Sequence, residues 1–180
     1  MKKFIDELIE EGKISTDTNS LSRDYLREAY RYAQEHSTDE STWAGAVIVK
    51  DGEIVARGTN AFAKGVEITE ERSSSPAKYT YQDHSERNAI YNATKEGVSL
   101  DGTSMYSTWI PCPACTNGII NSGIKLLVIH YEKAILTRKG WKEEMGESLE
   151  MLIEAGIEVR VFLGKIGDCI NMFKKEIWEP

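Results

Sequence analysis

From His84 onward the chain switches repeatedly between a helical and a strand period, and this alternation restricts the fold more than any other feature. HSERNAIYNATKEG, starting at His84, carries Ala89, Ile90 and Ala93 at helical spacing. SMYSTWI reads as a strand, CPACTNGIINSG as a short helix ending near Gly123, and KLLVIHY as a strand. WKEEMGESLEMLIEAG then reads as a helix stopping at Gly156, and IEVRVFLG as a strand. Right-handed crossovers make these last three strands parallel. A parallel sheet must be covered on both faces, so the pattern predicts an α/β fold with helical layers above and below.

Upstream, WAGAVIVKDGEIVARGTN has two short apolar runs around Asp51-Gly52, a hairpin signal. DTNSLSRDYLREAYRYAQEHS predicts a helix capped by Ser20 or Ser22, with Tyr25, Leu26, Ala29, Tyr30 and Ala33 as its apolar stripe. FIDELIEEG predicts a short first helix with Phe4, Leu8 and Ile9 on one side. DCINMFKKEIW predicts a last one with Ile170, Phe173 and Ile177 on one side. Asn60 to Asp83 has little period and is broken at Gly65 and at Ser73-Ser74-Ser75-Pro76. It exceeds an ordinary connection, which points to a lid, a ligand contact or a subunit contact, with a plain surface excursion as the alternative. Neither a repeat nor an inter-domain linker interrupts the chain. The expected organisation is one domain over residues 1–180, with a core over about 22–163, a helical extension over 1–20 and a helical tail over 164–180.

The net charge is −7, whereas a general nucleic-acid binder carries a basic stripe. No apolar run approaches a membrane span, and the N-terminus turns acidic after two lysines. These features predict a cytoplasmic protein without nucleic-acid or membrane partners. A small anionic ligand needs only a few local cations, for which Arg57, Lys64, Arg72, Lys78 and Arg87 are candidates. Three cysteines, two of them three apart, suit metal binding better than a disulfide framework. Cys169 reads as a small apolar filler.

Cys112 and Cys115 fall at a predicted helix start, behind Trp109-Ile110-Pro111, and their spacing puts both sulfurs on one face. The positive end of a helix favours thiolates, which ligate zinc. With the imidazole of His84 they form a three-ligand set, leaving one tetrahedral position for water. If Glu86 stands beside that water it can carry protons as base and then acid. Two other readings stay open: a closed structural zinc with His130 or Glu86 as fourth ligand, and thiol redox chemistry. The combination His-x-Glu followed after 24 residues by Pro-Cys-x-x-Cys matches the nucleobase-deaminase signature.

On these residues, and on GTNAFAKGV, KYTYQDHSERNAIYNA and MYSTWIPCPACTNGIINSGIK, the chain resembles the cytidine and deoxycytidylate deaminase superfamily from about Trp43 to Phe162, and within it the deoxycytidylate deaminases. The resemblance implies a three-layer α/β/α cytidine-deaminase-like fold with a five-stranded mixed sheet and one catalytic Zn2+ between two helices. It implies His84, Cys112 and Cys115 as ligands and Glu86 as proton shuttle. It further implies Asn60 at the sugar, the Ser85 backbone at the pyrimidine carbonyl, and Tyr131 at the nucleotide. Trp109 and Ile110 are expected to wall the base pocket, or, for Trp109, simply to pack in the core. Arg72, Lys78 and Arg87 are the phosphate candidates.

The expected reaction is hydrolysis of deoxycytidine monophosphate to deoxyuridine monophosphate and ammonia. A free nucleoside or base deaminase, a transfer-RNA adenosine deaminase and a non-catalytic zinc-stabilised module are the rivals. Homo-oligomers, hexamers among them, and dCTP and dTTP effectors with Mg2+ also belong to the resemblance. Where many members read Gly-Tyr-Asn-Gly-x-Pro, this chain has Gly58-Thr59-Asn60-Ala61-Phe62-Ala63.

Overall fold

The structure, a computed structural model, describes residues 1–180. Its elements in order are α1 (Lys2–Glu10), β1 (Ser15–Asp17), α2 (Ser20–His36), β2 (Gly45–Lys50), β3 (Glu53–Thr59), β4 (Ala61–Phe62), α3 (Glu70–Ser73), α4 (Lys78–Tyr81), β5 (Gln82–Asp83), α5 (Ser85–Lys95), β6 (Ser104–Ser107), α6 (Pro113–Asn121), β7 (Leu126–His130), α7 (Tyr131–Ile135), α8 (Lys142–Glu154), β8 (Glu158–Phe162), β9 (Asn171–Phe173) and β10 (Glu176–Trp178). A single 3₁₀ turn, Lys139–Trp141, precedes α8.

The main sheet has strand order β1-β8-β7-β6-β2-β3. β2 pairs antiparallel with β3 and β6, and β6, β7, β8 and β1 run parallel. The sheet is therefore mixed and six-stranded rather than five-stranded. The sixth strand is β1, whose three residues Ser15, Thr16 and Asp17 carry no apolar alternation to announce it. It also corrects the helical extension over 1–20, which is a helix followed by this edge strand.

Period two along the strands divides the apolar side chains between two layers. Ala46, Ile48, Leu127 and Ile129 join the larger core, with Ala89 and Ala93 of α5, Ile119 of α6, and Leu149 and Leu152 of α8. Val47, Val49 and Val128 face the other way, onto Tyr25, Leu26, Ala29 and Tyr30 of α2. Helices thus cover both faces, as the alternation predicts.

Two glycines set the distance between the layers. A Cβ on Gly45 would lie 1.9 Å from the Ala29 carbonyl oxygen of α2. A Cβ on Gly58 would lie 2.2 Å from both the Ala89 nitrogen and the Ser85 oxygen of α5. Close helix–strand approach at these points requires glycine. Side chains then lock α5 to β3: Asn88 donates to the Thr59 carbonyl and Asn92 to that of Arg57, both at 2.8 Å. His84 and Glu86, at the start of α5, are held in place by this docking.

The C-terminal tail is an antiparallel hairpin, not a helix. Ile170, Phe173 and Ile177 mimic helical spacing, but Asn171 and Phe173 point inward while Ile177 is exposed. The backbone is captured instead by the segment before β2: Trp43 N–H donates to the Met172 carbonyl, and Lys175 N–H to that of Ser41. No helix is long and apolar enough to cross a membrane.

Candidate active site

Two helix starts converge beside the C-terminal end of β6. His84 is the N-cap residue of α5 in extended conformation, so Glu86 falls in its first turn. Cys112 is the N-cap residue of α6, Pro113 opens the helix, and Cys115 lies in its first turn. Proline suits that position because it has no N–H to leave unpaired and its φ is preset. The ligand atoms of His84, Cys112 and Cys115 lie within 4.8 Å of one another. One imidazole and two thiols at this separation suit Zn2+, which takes such donors at about 2.0–2.3 Å in a tetrahedron.

The electrostatics fit a cation there. A hydrogen bond to Cys112 raises the His84 pKa against burial. The thiol of Cys112 is driven down, first by its hydrogen bond with Cys115, while that of Cys115 is driven up by the same partner. The two sulfurs therefore compete for one proton, and a metal that takes both as thiolates removes the conflict. Arg87 adds a positive charge at the rim of the trio, its Nη1 reaching Cys115 Sγ at 3.5 Å and Cys112 Sγ at 3.9 Å. Its Nε donates to Asp83 Oδ1 at 2.7 Å, which fixes the guanidinium. This placement takes Arg87 out of the role of phosphate cation, since its charge is spent on the sulfurs and Asp83.

Glu86 is buried and stands outside the ligand trio. Ser107 Oγ donates to its Oε1 at 3.1 Å and Ser85 Oγ to its Oε2 at 3.2 Å. His130, the other residue considered as a fourth ligand, is occupied elsewhere. It is bonded to the Tyr30 hydroxyl at 2.8 Å and paired with Glu132 at 2.7 Å.

A cavity opens onto this floor. His84, Ser85, Glu86, Asn60, Trp109 and Ile110 line it, and so do Lys78, Tyr79 and Gln82 from the 60–83 segment and Arg138, Trp141 and Met145 from the α7–α8 connection. Trp109 is both wall and core: its Nε1 donates to Thr137 Oγ1 at 2.9 Å, and Phe173 meets its ring edge-on at 5.4 Å. Of the sequence-derived cations only Lys78 lines the cavity, and it is paired with buried Asp39 at 2.7 Å. Arg72 instead donates to the Glu67 carbonyl and covers the ring of Tyr81, because the short helix α3 turns it outward. Arg57 is paired with Glu28. Tyr131 does not line the cavity. As the first residue of α7 it is swung toward α1, where its hydroxyl donates to Asp6 Oδ1 at 2.7 Å. Arg138 was not expected; a lone cation in a loop carries no signal in sequence. The 60–83 segment is no structureless loop, since β4 and β5 pair and two short helices fill the excursion.

A His-Cys-Cys trio at two helix starts, with an unligated carboxylate between them, defines a zinc-dependent hydrolytic deaminase. The family described as "Cytidine and deoxycytidylate deaminase zinc-binding region" matches residues 19–131, and the chain belongs to it. It is 36 % identical over 124 residues to an uncharacterized deaminase in the luxG 3′ region of Aliivibrio fischeri, covering 68 % of this chain and 81 % of that protein. It is 42 % identical over 76 residues to the deoxycytidylate deaminase of Enterobacteria phage T4, covering 42 % of this chain and only 35 % of that one. Among solved structures, the dCMP deaminase of cyanophage S-TIM5 in complex with dCMP and dUMP aligns with a TM-score of 0.64 at 25 % identity, over 81 % of this chain and 98 % of that one.

Proposed function

We propose that this chain is a cytoplasmic enzyme that hydrolyses deoxycytidine monophosphate to deoxyuridine monophosphate and ammonia, supplying the precursor for thymidylate synthesis. The observation that carries the reading is Glu86, held by two serine hydroxyls beside the ligand trio, in a cavity whose rim also presents Arg138 and Lys78. Zinc bound by His84, Cys112 and Cys115 supplies Lewis acidity that makes a water nucleophilic at neutral pH. Everything else falls to the chain. Glu86 takes a proton from the attacking water and delivers it to ring N3. The water oxygen bonds to C4 in that step. Glu86 then takes the remaining proton of that hydroxyl and passes it to the exocyclic amine as the bond from C4 to that amine breaks, so ammonia leaves and C4 keeps a carbonyl oxygen. Ser85 and Ser107 keep both carboxylate oxygens aimed during these transfers. Trp109 and Ile110 wall the ring and keep bulk water out, and the Ser85 backbone meets the pyrimidine carbonyl. Asn60 belongs to the sugar end of the cavity. Arg138 and Lys78 take the phosphate.

The Asp39–Lys78 pair favours a second reading, a free nucleoside as substrate, because Lys78 already has a counter-charge. Turnover of deoxycytidine, cytidine monophosphate and deoxycytidine monophosphate separates the two. A strong preference for the unphosphorylated nucleoside overturns the first. Homo-oligomeric assembly, up to a hexamer, and control by dCTP and dTTP with Mg2+ belong to the same proposal. Sedimentation, and the same turnover measurements with the triphosphates added, test them.

A further inference from the structure

Gln82 lines the cavity, is only 8 % exposed, and leaves its Nε2 without a hydrogen-bond partner. A buried amide donor with no partner is costly, and natural structures rarely leave one without a reason. Two observations locate what would satisfy it. The backbone from Gln82 to His84 is extended, so the two side chains leave the same side of the chain, about 7 Å apart along it. In the other direction, Lys78 lies one helical turn earlier, on α4. Gln82 therefore stands between the metal-binding floor, where the ring must react, and the cationic rim, where a phosphate would rest. In a nucleotide that intermediate place is the sugar.

Asn60, the residue expected at the sugar, has most of its hydrogen-bonding capacity committed. Its Oδ1 accepts from Ala44 N–H at 2.9 Å and from Ser37 Oγ at 2.8 Å, and its Nδ2 donates to the Thr42 carbonyl at 2.8 Å. These bonds hold the 37–44 loop against the sheet. We infer that the Gln82 carboxamide binds the 3′-hydroxyl of the nucleotide's sugar and is a specificity-determining residue of this site. A carboxamide offers one donor end and one acceptor end, and these exchange when the group turns about Cγ–Cδ. A hydroxyl is donor and acceptor too, so the two match whichever end faces the sugar. The inference rests on the nucleotide reading above.

The test compares dCMP with 2′,3′-dideoxycytidine 5′-monophosphate in the zinc-loaded wild type and in Gln82→Leu. In the wild type, losing the 3′-hydroxyl should raise KM roughly 3- to 10-fold, the worth of one neutral hydrogen bond. In Gln82→Leu, KM for dCMP should rise by the same factor, KM for the dideoxy substrate should not move, and kcat should stay within about twofold. Should the leucine variant fail to fold, Gln82→Met supplies the same comparison with an unbranched side chain. An equal KM rise for both substrates, or none for either, overturns the assignment of Gln82 while leaving dCMP as substrate. Absence of wild-type turnover on dCMP overturns the substrate reading and this inference with it.

Discussion

The floor of the cavity consists of His84, Glu86, Cys112 and Cys115, at the first turns of two neighbouring helices docked on one sheet. The rim consists of Lys78, Tyr79 and Gln82 from one excursion and Arg138 and Trp141 from another, far along the chain. At the floor both oxygens of Glu86 have partners, and Arg87 is tied to Asp83. At the rim Gln82 has an orphaned amide nitrogen, and Tyr79 is 45 % exposed. A group that must move protons with little reorganisation is best held before substrate arrives. A group that recognises substrate can keep bonding capacity free until it does, as Gln82 does, whereas Lys78 is held in advance by Asp39. Floor substitutions should therefore change the metal and the chemistry, and rim substitutions the affinity and the choice of substrate.

Arg87→Ala is the largest test of that division. Removing a guanidinium that bonds both sulfurs should weaken zinc binding about 10- to 100-fold, as loss of an outer partner of metal ligands typically does. Competition against a chelator measures it, and the ratio of dCMP to deoxycytidine turnover should not change. If Arg87→Ala altered that ratio and left zinc affinity intact, floor and rim would not be separable. Arg138→Ala should do the reverse. KM for dCMP should rise about tenfold, the loss of one charge-assisted contact, with zinc content unchanged and deoxycytidine little affected. An unchanged KM would remove Arg138 from phosphate binding.

The smallest effect concerns Lys133, which lies fully buried beneath both regions. Its Nζ donates to the Trp43 carbonyl and sits over the rings of Tyr30 and Trp109, 5.2 and 5.7 Å from their centroids. Burial pushes its pKa down to about 7, against a pull upward from the Glu86 charge. In the unfolded chain it titrates near 10.5. Between these values the unfolded state binds more protons than the folded one. Lys133 therefore makes stability fall as pH drops from about 10.5 to about 7, and adds no further slope below that. Lys133→Met removes the slope. The Trp43 carbonyl keeps a donor in Asn171 Nδ2, so the variant should melt a few degrees higher at pH 7, the shift that about 1 kcal/mol produces at this chain length. Melting curves at pH 7 and pH 10 measure it. A variant that melts lower at pH 7 would show that the Nζ contacts outweigh the cost of burying the ammonium.

The same contrast explains what could be read from sequence. The floor compresses into two short windows, His84-Ser85-Glu86 and Cys112 to Cys115, where residue type and spacing carry the chemistry. The parallel strands and covering helices are equally legible, because β7 is a continuous apolar run, β8 alternates charged Glu158 and Arg160 with buried Val159 and Val161, and the long helix between them is periodic. β1 is not, since three polar-leaning residues join the sheet only because Leu163 and β8 offer an open edge. The C-terminal hairpin is hidden in the sequence because apolar residues three and four apart fit a helix, while the bonds to Ser41 and Trp43 that decide the matter are long-range. Arg138, Gln82 and the turning away of Tyr131 depend on which distant segments meet, and no local pattern encodes that.

The most direct test is the Glu86→Gln protein, with zinc content and dCMP turnover measured on the same sample. The glutamine keeps the shape and its contacts with Ser85 and Ser107 but cannot relay a proton. One zinc per chain with turnover reduced at least about 10²- to 10⁴-fold is the predicted result, the range attributed to a positioned acid–base group. Turnover equal to the wild type, or loss of the zinc along with the carboxylate, would contradict the account.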